Sequence, residues 1–382
     1  MNKDSWEVKK LGDIATYING YSFKPSDWED DGLPIIRIQN LNSSEAPYNY
    51  TTKRIDKKYV VNFGEILISW SASLGVYEWK GTSALLNQHI FKVQFDKIEI
   101  NKFFFKYQVD RQIEEMLQHI HGATMKHITK KNFDNIRFLV PPPPIQEQIV
   151  KELDTLSDII TKKKEQLAEL DKLAQAIFYN MFGDPVENEK KWPIKKLNDV
   201  CIKITDGTHN SPKNSQEGDF PYITAKNIRK DRIDLRDLTY ISKEEHKIIF
   251  NRCNPEKGDL LYIKDGATTG IAQINTLDFE FSLLSSVALL KPDFKQINSF
   301  YFKYFLNNKK VYDSIRRNMG GAAITRLTIK KIQAIILLLP PLSIQTQFAE
   351  KIEAIEQQKA LINQSITDTQ LLFDYTMDKY FN

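Results

Sequence analysis

The sequence predicts an α+β protein built twice: two similar domains of mixed β-sheet and helices, each followed by one long helix. Three observations predict it. Blocks of sequence recur in the same order, β-rich texture gives way to helical texture at a proline pair in each copy, and both helical stretches carry a seven-residue apolar repeat. Trp6-Glu7-Val8-Lys9-Lys10-Leu11-Gly12-Asp13-Ile14 recurs as Trp192-Pro193-Ile194-Lys195-Lys196-Leu197-Asn198-Asp199-Val200, and the segment 33–41 recurs as 220–228. Phe63-Gly64-Glu65-Ile66-Leu67-Ile68 answers Lys257-Gly258-Asp259-Leu260-Leu261-Tyr262, and Gly122-Ala123-Thr124 answers Gly321-Ala322-Ala323. Pro141-Pro142 with Ile145-Gln146 and Gln148 matches Pro340-Pro341 with Ile344-Gln345 and Gln347. The offset between partners grows only from 186 to 199 across the set, which chance does not produce. The expected domains are residues 1–144 and 184–343, with helices over 145–183 and 344–382.

Before each proline pair, short β-branched and apolar runs are bounded by turn residues: 33–41, 66–70 and 89–95 in the first copy, 259–263 and 286–290 in the second. Helical stretches over 101–119 and 298–317 are mixed in. After the prolines comes uninterrupted helical pattern without Gly or Pro, as proline's missing N–H demands. In the first long helix the series Ile149, Leu156, Lys163, Leu170, Ile177 interleaves with Leu153, Ile160, Leu167, Ala174, Met181. In the second, Phe348, Ile355, Ile362, Thr369, Thr376 interleaves with Ile352, Lys359, Ile366, Phe373, Tyr380. Alternating steps of four and three make a coiled-coil seam. Lys163 and Lys359 interrupt it, either fixing register or snorkelling outward, and snorkelling is the simpler reading. Each helix covers about 38 residues, roughly 57 Å. Its stripe must be buried, most simply against the other helix, antiparallel, with another protein or a second copy as the rival partner. Threonines in the second seam predict that its far end is the looser one.

The chain's 382 residues suit two domains, and its 53 basic against 49 acidic residues make it only mildly basic. Cys201 and Cys253 show no metal-ligand spacing, and six dispersed histidines complete no ligand set, so neither a disulfide scaffold nor a metal site is expected. No segment reads as a signal peptide or a membrane span, and a reducing cytoplasm fits. Phosphate loops, dinucleotide fingerprints, HExxH and GxSxG are absent from the sequence. Glu78-Trp79-Lys80 and Glu189-Lys190-Lys191 are read as solvated charges and not as a nuclease centre. No catalytic constellation is expected.

Several loops combine residues suited to DNA. The first copy offers Tyr21, Lys24, Arg37, Gln39, Asn40, Asn42, Ser69, Trp70, Ser71, Ser73 and Lys126, with Gln88-His89 nearby. The second offers Asp206, Thr208, His209, Lys226, Asn227, Arg229, Lys264, Thr268, Thr269 and Arg326. Arg and Lys pair with guanine edges, Asn and Gln with adenine edges, and Ser and Thr with phosphates. Strand cores repeat between the copies while the loop tips diverge. Asp206-Gly207-Thr208-His209 reads as having no close counterpart in Asn19-Gly20-Tyr21-Ser22. One scaffold with two sets of tips suits the reading of two different sequences.

The layout resembles the specificity (S, HsdS) subunits of Type I restriction–modification systems, over essentially the whole chain. The resemblance rests on the Trp-x-x-Lys-Lys-Leu-x-Asp opening of each half, the 33–41 block, the 64–69 run, Ile204-Thr205-Asp206-Gly207-Thr208-His209, and the Pro-Pro-x-x-Ile-Gln-x-Gln lead into each helix. It implies two target recognition domains, each reading half of a gapped site on double-stranded DNA. It implies that the helices pack antiparallel as spacers and dock two methyltransferase subunits, joined by restriction subunits. S-adenosylmethionine, ATP and Mg2+ would then sit on those partners, with no cofactor and no catalysis in this chain.

Overall fold

The computed structural model describes residues 3, 6–43, 45–119, 129–317 and 326–382. The duplication in sequence is a duplication of strands. Residues 1–164 and 364–382 form one compact unit, and 165–363 form another, so both unit boundaries fall inside the long helices.

The strands of the first unit are β1 (Glu7–Lys10), β2 (Thr16–Asn19), β3 (Leu33–Ile36), β4 (Asn49–Thr51), β5 (Val60–Val61), β6 (Ile66–Ser69), β7 (Gly75–Glu78), β8 (Ala84–Leu86), β9 (Ile90–Gln94) and β10 (Arg137–Val140). Among them run helices α1 (Leu11–Ile14), α2 (Ile38–Asn42), α3 (Lys102–His119) and α4 (Lys130–Asp134), followed by the long α5 (Pro143–Phe182). One sheet has the antiparallel order β2-β9-β6-β7, a second has the order β4-β3-β8-β5 with β3 parallel to β8, and β1 clips to β10. The second unit repeats the plan with β11 (Ile194–Lys196), β12 (Cys201–Asp206), β13 (Phe220–Ile223), β14 (Thr239–Ile241), β15 (Leu260–Ile263), β16 (Ala272–Ile274), β17 (Ser282–Leu283), β18 (Val287–Pro292) and β19 (Ile336–Leu338). Its helices are α6 (Leu197–Val200), α7 (Lys243–Arg252), α8 (Ser299–Asn307), α9 (Lys309–Arg317), α10 (Ile329–Gln333) and the long α11 (Leu342–Phe381). The orders β12-β18-β15-β16, β14-β13-β17 and β11-β19 follow, with β13 parallel to β17.

The central strands explain the continuous apolar runs. Because successive side chains point to opposite faces, Ile66 and Ile68 enter one core while Leu67 enters another. In the second unit Leu260 and Tyr262 part from Leu261 and Ile263 in the same way. Strands buried on both faces need no polar alternation. The turn before each central strand holds its glycine at positive φ, +82° at Gly64 and +95° at Gly258, where a side chain is strained. The next residue closes the turn, Glu65 accepting from Asn62 N at 2.6 Å and Asp259 from Glu256 N at 2.8 Å.

The proline–glutamine motif is a buried clip. Gln146 donates to Pro141 O at 2.8 Å and accepts from Asn101 N at 2.8 Å, while Asn101 caps α3. Gln345 donates to Pro340 O at 2.8 Å and accepts from Asn298 N at 2.9 Å, while Asn298 caps α8. The start of each long helix is thereby fixed to the helix that packs on the sheet. A second cap is repeated between the units: Thr129 and Thr328 cap α4 and α10 by accepting from Asn132 N and Lys331 N.

The long helices pair antiparallel. In the first unit Ile149, Val150 and Leu153 of α5 share a core with Phe373, Met377, Tyr380 and Phe381 of α11. In the second, Leu170, Ala174, Ile177 and Met181 meet Phe348, Ile352 and Ile355. Along the rest of the seam Ile160 is buried, and Leu156, Leu167, Ile362 and Ile366 are half-buried. The lysine at 359 does not snorkel: its ammonium lies 2.8 Å from Asp171 Oδ1 and 3.1 Å from Glu356 Oε1. Burial alone would lower its pKa, and the two carboxylates outweigh that and raise it.

The expected looseness of the far end of α11 is not found. Met377, Tyr380 and Phe381 are buried in the first unit's core, Tyr380 donates to Glu152 Oε2 at 2.7 Å, and Arg111 pairs with Asp378 at 2.6 Å. The heptad repeat marks only the seam, whereas Met377 and Phe381, like Phe178 and Phe182 on α5, lie beside it and turn into a globular core.

Phe381→Ala is expected to destabilise the first unit by about 3 kcal/mol, as other Phe truncations in cores do. Leu371→Ala, at a position 64% exposed, should stay within about 0.5 kcal/mol. Urea unfolding of both variants checks the contrast, and equal losses would refute the anchoring role. Gln345→Leu leaves Asn298 N and Pro340 O without partners, so a loss of roughly 1–3 kcal/mol per orphaned group is expected in the same measurement.

Candidate nucleic-acid interface

A short turn between the two sheets of each unit gathers the candidate loops. In the first unit this is 87–89. Asn87 N donates to Ile36 O at the end of β3 (3.1 Å), Gln88 N donates to Tyr21 O after β2 (2.8 Å), and His89 O accepts from Trp70 N after β6 (3.2 Å). In the second unit 284–286 makes the same bonds. Leu284 N donates to Ile223 O (3.0 Å), Ser285 N donates to Thr208 O (2.9 Å), and Ser286 O accepts from Lys264 N (2.9 Å). Three loops distant in sequence therefore meet at one sheet end.

This arrangement corrects one sequence expectation. Asn19-Gly20-Tyr21-Ser22 and Asp206-Gly207-Thr208-His209 occupy equivalent backbone positions. Tyr21 N donates to Leu86 O and Thr208 N to Leu283 O, both at 2.8 Å. Both segments need glycine because the backbones nearly touch: a Cβ would lie 2.0 Å from Asn87 O at Gly20, and 1.9 Å from Leu283 O at Gly207. The side chains on this shared backbone differ. In the first unit Trp70 Nε1 donates to Asn19 Oδ1 at 3.2 Å, with the indole stacked on Phe91 and edge-on to His89. In the second the same places hold Lys264 and Asp206, 3.5 Å apart and both buried.

Around that pair lies a network of charges. Lys264 Nζ donates to Asp265 Oδ2 at 3.0 Å, and Arg326 Nε stands 3.2 Å from Asp265 Oδ1. Asp206 also receives His209 Nε2 at 3.1 Å and Arg252 Nη2 at 3.3 Å. Asp206, His209, Lys264 and Arg326 were candidates from separate loops, and the fold brings them together. Arg252 was not among the named candidates. Arg252 ends a helix, and nothing in its local sequence indicates that it reaches back 46 residues to Asp206.

Six candidates are engaged inside the protein, where each holds a loop in place. Asn40 accepts from Arg37 N and donates to Ala46 O and Pro47 O, and Asn227 accepts from Thr224 N and donates to Asp234 O. Ser69 donates to Ser71 O, Thr269 donates to Gly266 O, and Lys264 and Asp206 form the pair above. Tyr21 packs on Phe23 and Tyr59, Thr208 donates to Asn210 O, and Arg37 donates to Asn49 Oδ1 beside the Trp28 ring. Gln39 donates to Pro47 O, and Asn42 accepts from Tyr77 at 2.8 Å. Lys24, Gln39, Asn42, Ser73, His209, Lys226, Arg229, Thr268 and Arg326 are exposed, and Trp70 and Ser71 are half-buried. Lys126 lies outside the described residues, as do the glycine-containing segments 122–124 and 321–323. Arg229, Arg232 and Arg236 surround Asp234, and its hydrogen bonds from Arg236 hold that carboxyl well below the usual range against the opposing effect of burial.

Each unit also carries a cleft beside the long helices. In the first, of about 690 Å³, Lys106, Tyr107 and Gln370 line the wall; in the second, of about 480 Å³, Lys303, Tyr304 and Asp171 do. Burial lowers the pKa of Lys303. Among the described residues no His, Cys, Asp or Glu side chains gather as metal ligands, and no helix is long and apolar enough to cross a membrane.

A family model described as the Type I restriction modification DNA specificity domain matches residues 3–172 and again 189–369. The Type I restriction enzyme EcoBI specificity subunit of Escherichia coli is 24% identical, with 92% of this chain and 79% of that protein covered. The MjaIX specificity subunit of Methanocaldococcus jannaschii is 22% identical, covering 96% of this chain and 91% of that one. In fold, the chain is similar to the S subunit of a Type I system from M. genitalium, with a TM-score of 0.58 at 15% identity, covering 100% of this chain and 98% of that one. A chain from a structure concerned with assembly and conformational transition of the Type I system gives a TM-score of 0.54 at 14% identity, covering 99% of this chain and 98% of that one.

Gly207→Ala is expected to displace the 206–209 loop, because no rotamer relieves a clash with a backbone carbonyl. A stability loss of about 1–3 kcal/mol is expected, as for other overpacked sites. Limited proteolysis should then cut at 206–211 in the variant and not in the parent. An unchanged digest would refute the close approach.

Proposed function

Because the chain belongs to the Type I restriction modification DNA specificity family, we propose that each of its two recognition units reads one half of a gapped site on double-stranded DNA. The observation that carries this reading is the shared turn at 87–89 and 284–286. On it one unit carries an uncharged Asn19–Trp70 pair, and the other a buried Asp206–Lys264 pair, with Arg252 and Arg326 held at the rim by Asp206 and Asp265. A shared backbone hydrogen-bond frame with different polar chemistry is what two copies of one reader need in order to recognise unlike sequences.

The long helices suit docking of two methyltransferase subunits and, through them, restriction subunits. Leu361, Leu371, Leu372 and Tyr375 lie outside the seam and are between 51% and 72% exposed. Leu371, Leu372 and Tyr375 fall within five residues of one another, and such clustered exposed apolar side chains suit a protein contact. On this reading the chain works in the cytoplasm as a non-catalytic scaffold, and S-adenosylmethionine, ATP and Mg2+ belong to its partners.

Adenine methylation should be mapped in a host lacking other methyltransferases, expressing the cognate methyltransferase subunit with and without this chain. A two-part methylated motif is expected only when the chain is present. No motif from an assembled complex would overturn the proposal. Affinity for the site should also fall steeply with added salt as phosphate counterions are released.

A further inference from the structure

We infer that Arg326 reads a guanine for the second unit, and that Asp265 and the buried Lys264 are the residues that position it. The inference rests on the DNA-reading role proposed above and adds a base and a side chain to it.

The argument starts from Lys264, whose side chain is only 2% exposed. A buried ammonium is stable only if paired. Lys264 has two carboxylates, Asp265 Oδ2 at 3.0 Å and Asp206 Oδ2 at 3.5 Å. Each carboxylate in turn holds an arginine at the rim. Asp206 takes Arg252, whose Nη2 also donates to Asp206 O at 2.9 Å and to Gly207 O. That guanidinium is latched to the backbone. The His209 ring also reaches Asp206, with Nε2 3.1 Å from Oδ2. Asp265 forms an ion pair with Arg326, whose Nε lies 3.2 Å from Oδ1 without making a hydrogen bond, while the Arg326 side chain remains 58% exposed. The backbone fixes the approach as well, because Asp265 and Arg326 form an antiparallel bridge and Leu327 N donates to Lys264 O at 2.8 Å.

A guanidinium brought in by its backbone, with only Nε facing the carboxylate, keeps both terminal nitrogens for a ligand, in the fork that matches guanine O6 and N7. The neighbouring carboxylate selects what the fork will take. Beside Asp265 a phosphate meets like-charge repulsion, whereas the neutral acceptors of a base edge do not. The charged residues Lys264, Arg252, Arg326, Asp206 and Asp265 sum to one positive charge, so the rim remains attractive to DNA while its readers are aimed. In the first unit the Lys264 place belongs to Trp70, which donates to a neutral Asn19, so this device belongs to the second unit alone.

The test uses the assembled complex of the full chain with its methyltransferase subunit, on DNA carrying the mapped site. Each guanine of the half-site read by the second unit is replaced in turn by 7-deazaguanine, which removes N7. One replacement is expected to weaken binding of the unaltered complex by roughly tenfold to a hundredfold. The same replacement should have no further effect on Arg326→Gln. Arg326→Lys, which keeps the charge but not the planar fork, should weaken the preference for that guanine and retain binding to unrelated DNA. Asp265→Asn should relax the same preference. Continued methylation dictated by the first unit's half-site shows that the variants are folded. The inference is overturned if Arg326→Gln leaves the methylated motif unchanged, if it weakens all sequences equally, or if the second half-site contains no guanine. A complex without any motif overturns the underlying reading instead, and this one with it.

Discussion

The recognition surface of each unit depends on a three-residue turn that three loops share through backbone hydrogen bonds. Segments 87–89 and 284–286 each connect the ends of two sheets, and their peptide groups are the partners of loops following β2, β3 and β6, or β12, β13 and β15. Buried peptide groups must be paired, so the turn fixes where those loops run whatever side chains they carry. Gly20 and Gly207 are the steric counterpart of this constraint, since the approach is too close for a Cβ. Backbone bonds and two glycines hold the frame, which leaves the side chains at the tips free to differ.

The long helices are fixed by a different means. Their seam alone is modest, with several half-buried positions and a lysine in each. Their ends are strong. At the start, a buried glutamine joins the proline turn to the cap of α3 or α8. At the finish, Phe178 and Phe182, or Met377 and Phe381, enter a sheet-backed core. Anchoring through the ends tolerates polar seam residues, and it lets Lys359 find Asp171 and Glu356 without disrupting the pair.

Charge in the second unit's loop cluster is arranged to orient and not to neutralise. Two carboxylates satisfy one buried ammonium, and the cations they hold in addition stand at the rim. Such a network costs desolvation that an apolar pair would avoid. The first unit makes the cheaper choice with Trp70 and Asn19. A costly network at a loop tip is reasonable where donors must be aimed at a ligand.

The sequence by itself determined the duplication, the strand runs, the glycine turns at 64 and 258, the proline starts and the heptad stripes. These are local: a period of two or three and a half, a missing N–H and a positive φ act within a few residues. Tertiary structure decided which polar residues meet. Lys264 is far in sequence from both Asp206 and Arg326, and only the strand order β12-β18-β15-β16 brings the ends of β12 and β15 together. It also decided that Asn40 and Asn227 cap turns and do not face outward, because their composition suits both roles and only burial distinguishes them. The same holds at the end of α11, where residues beside the seam are core because a sheet lies next to them. Periodicity describes a chain's own faces, and what covers each face depends on contacts between segments that no local pattern encodes.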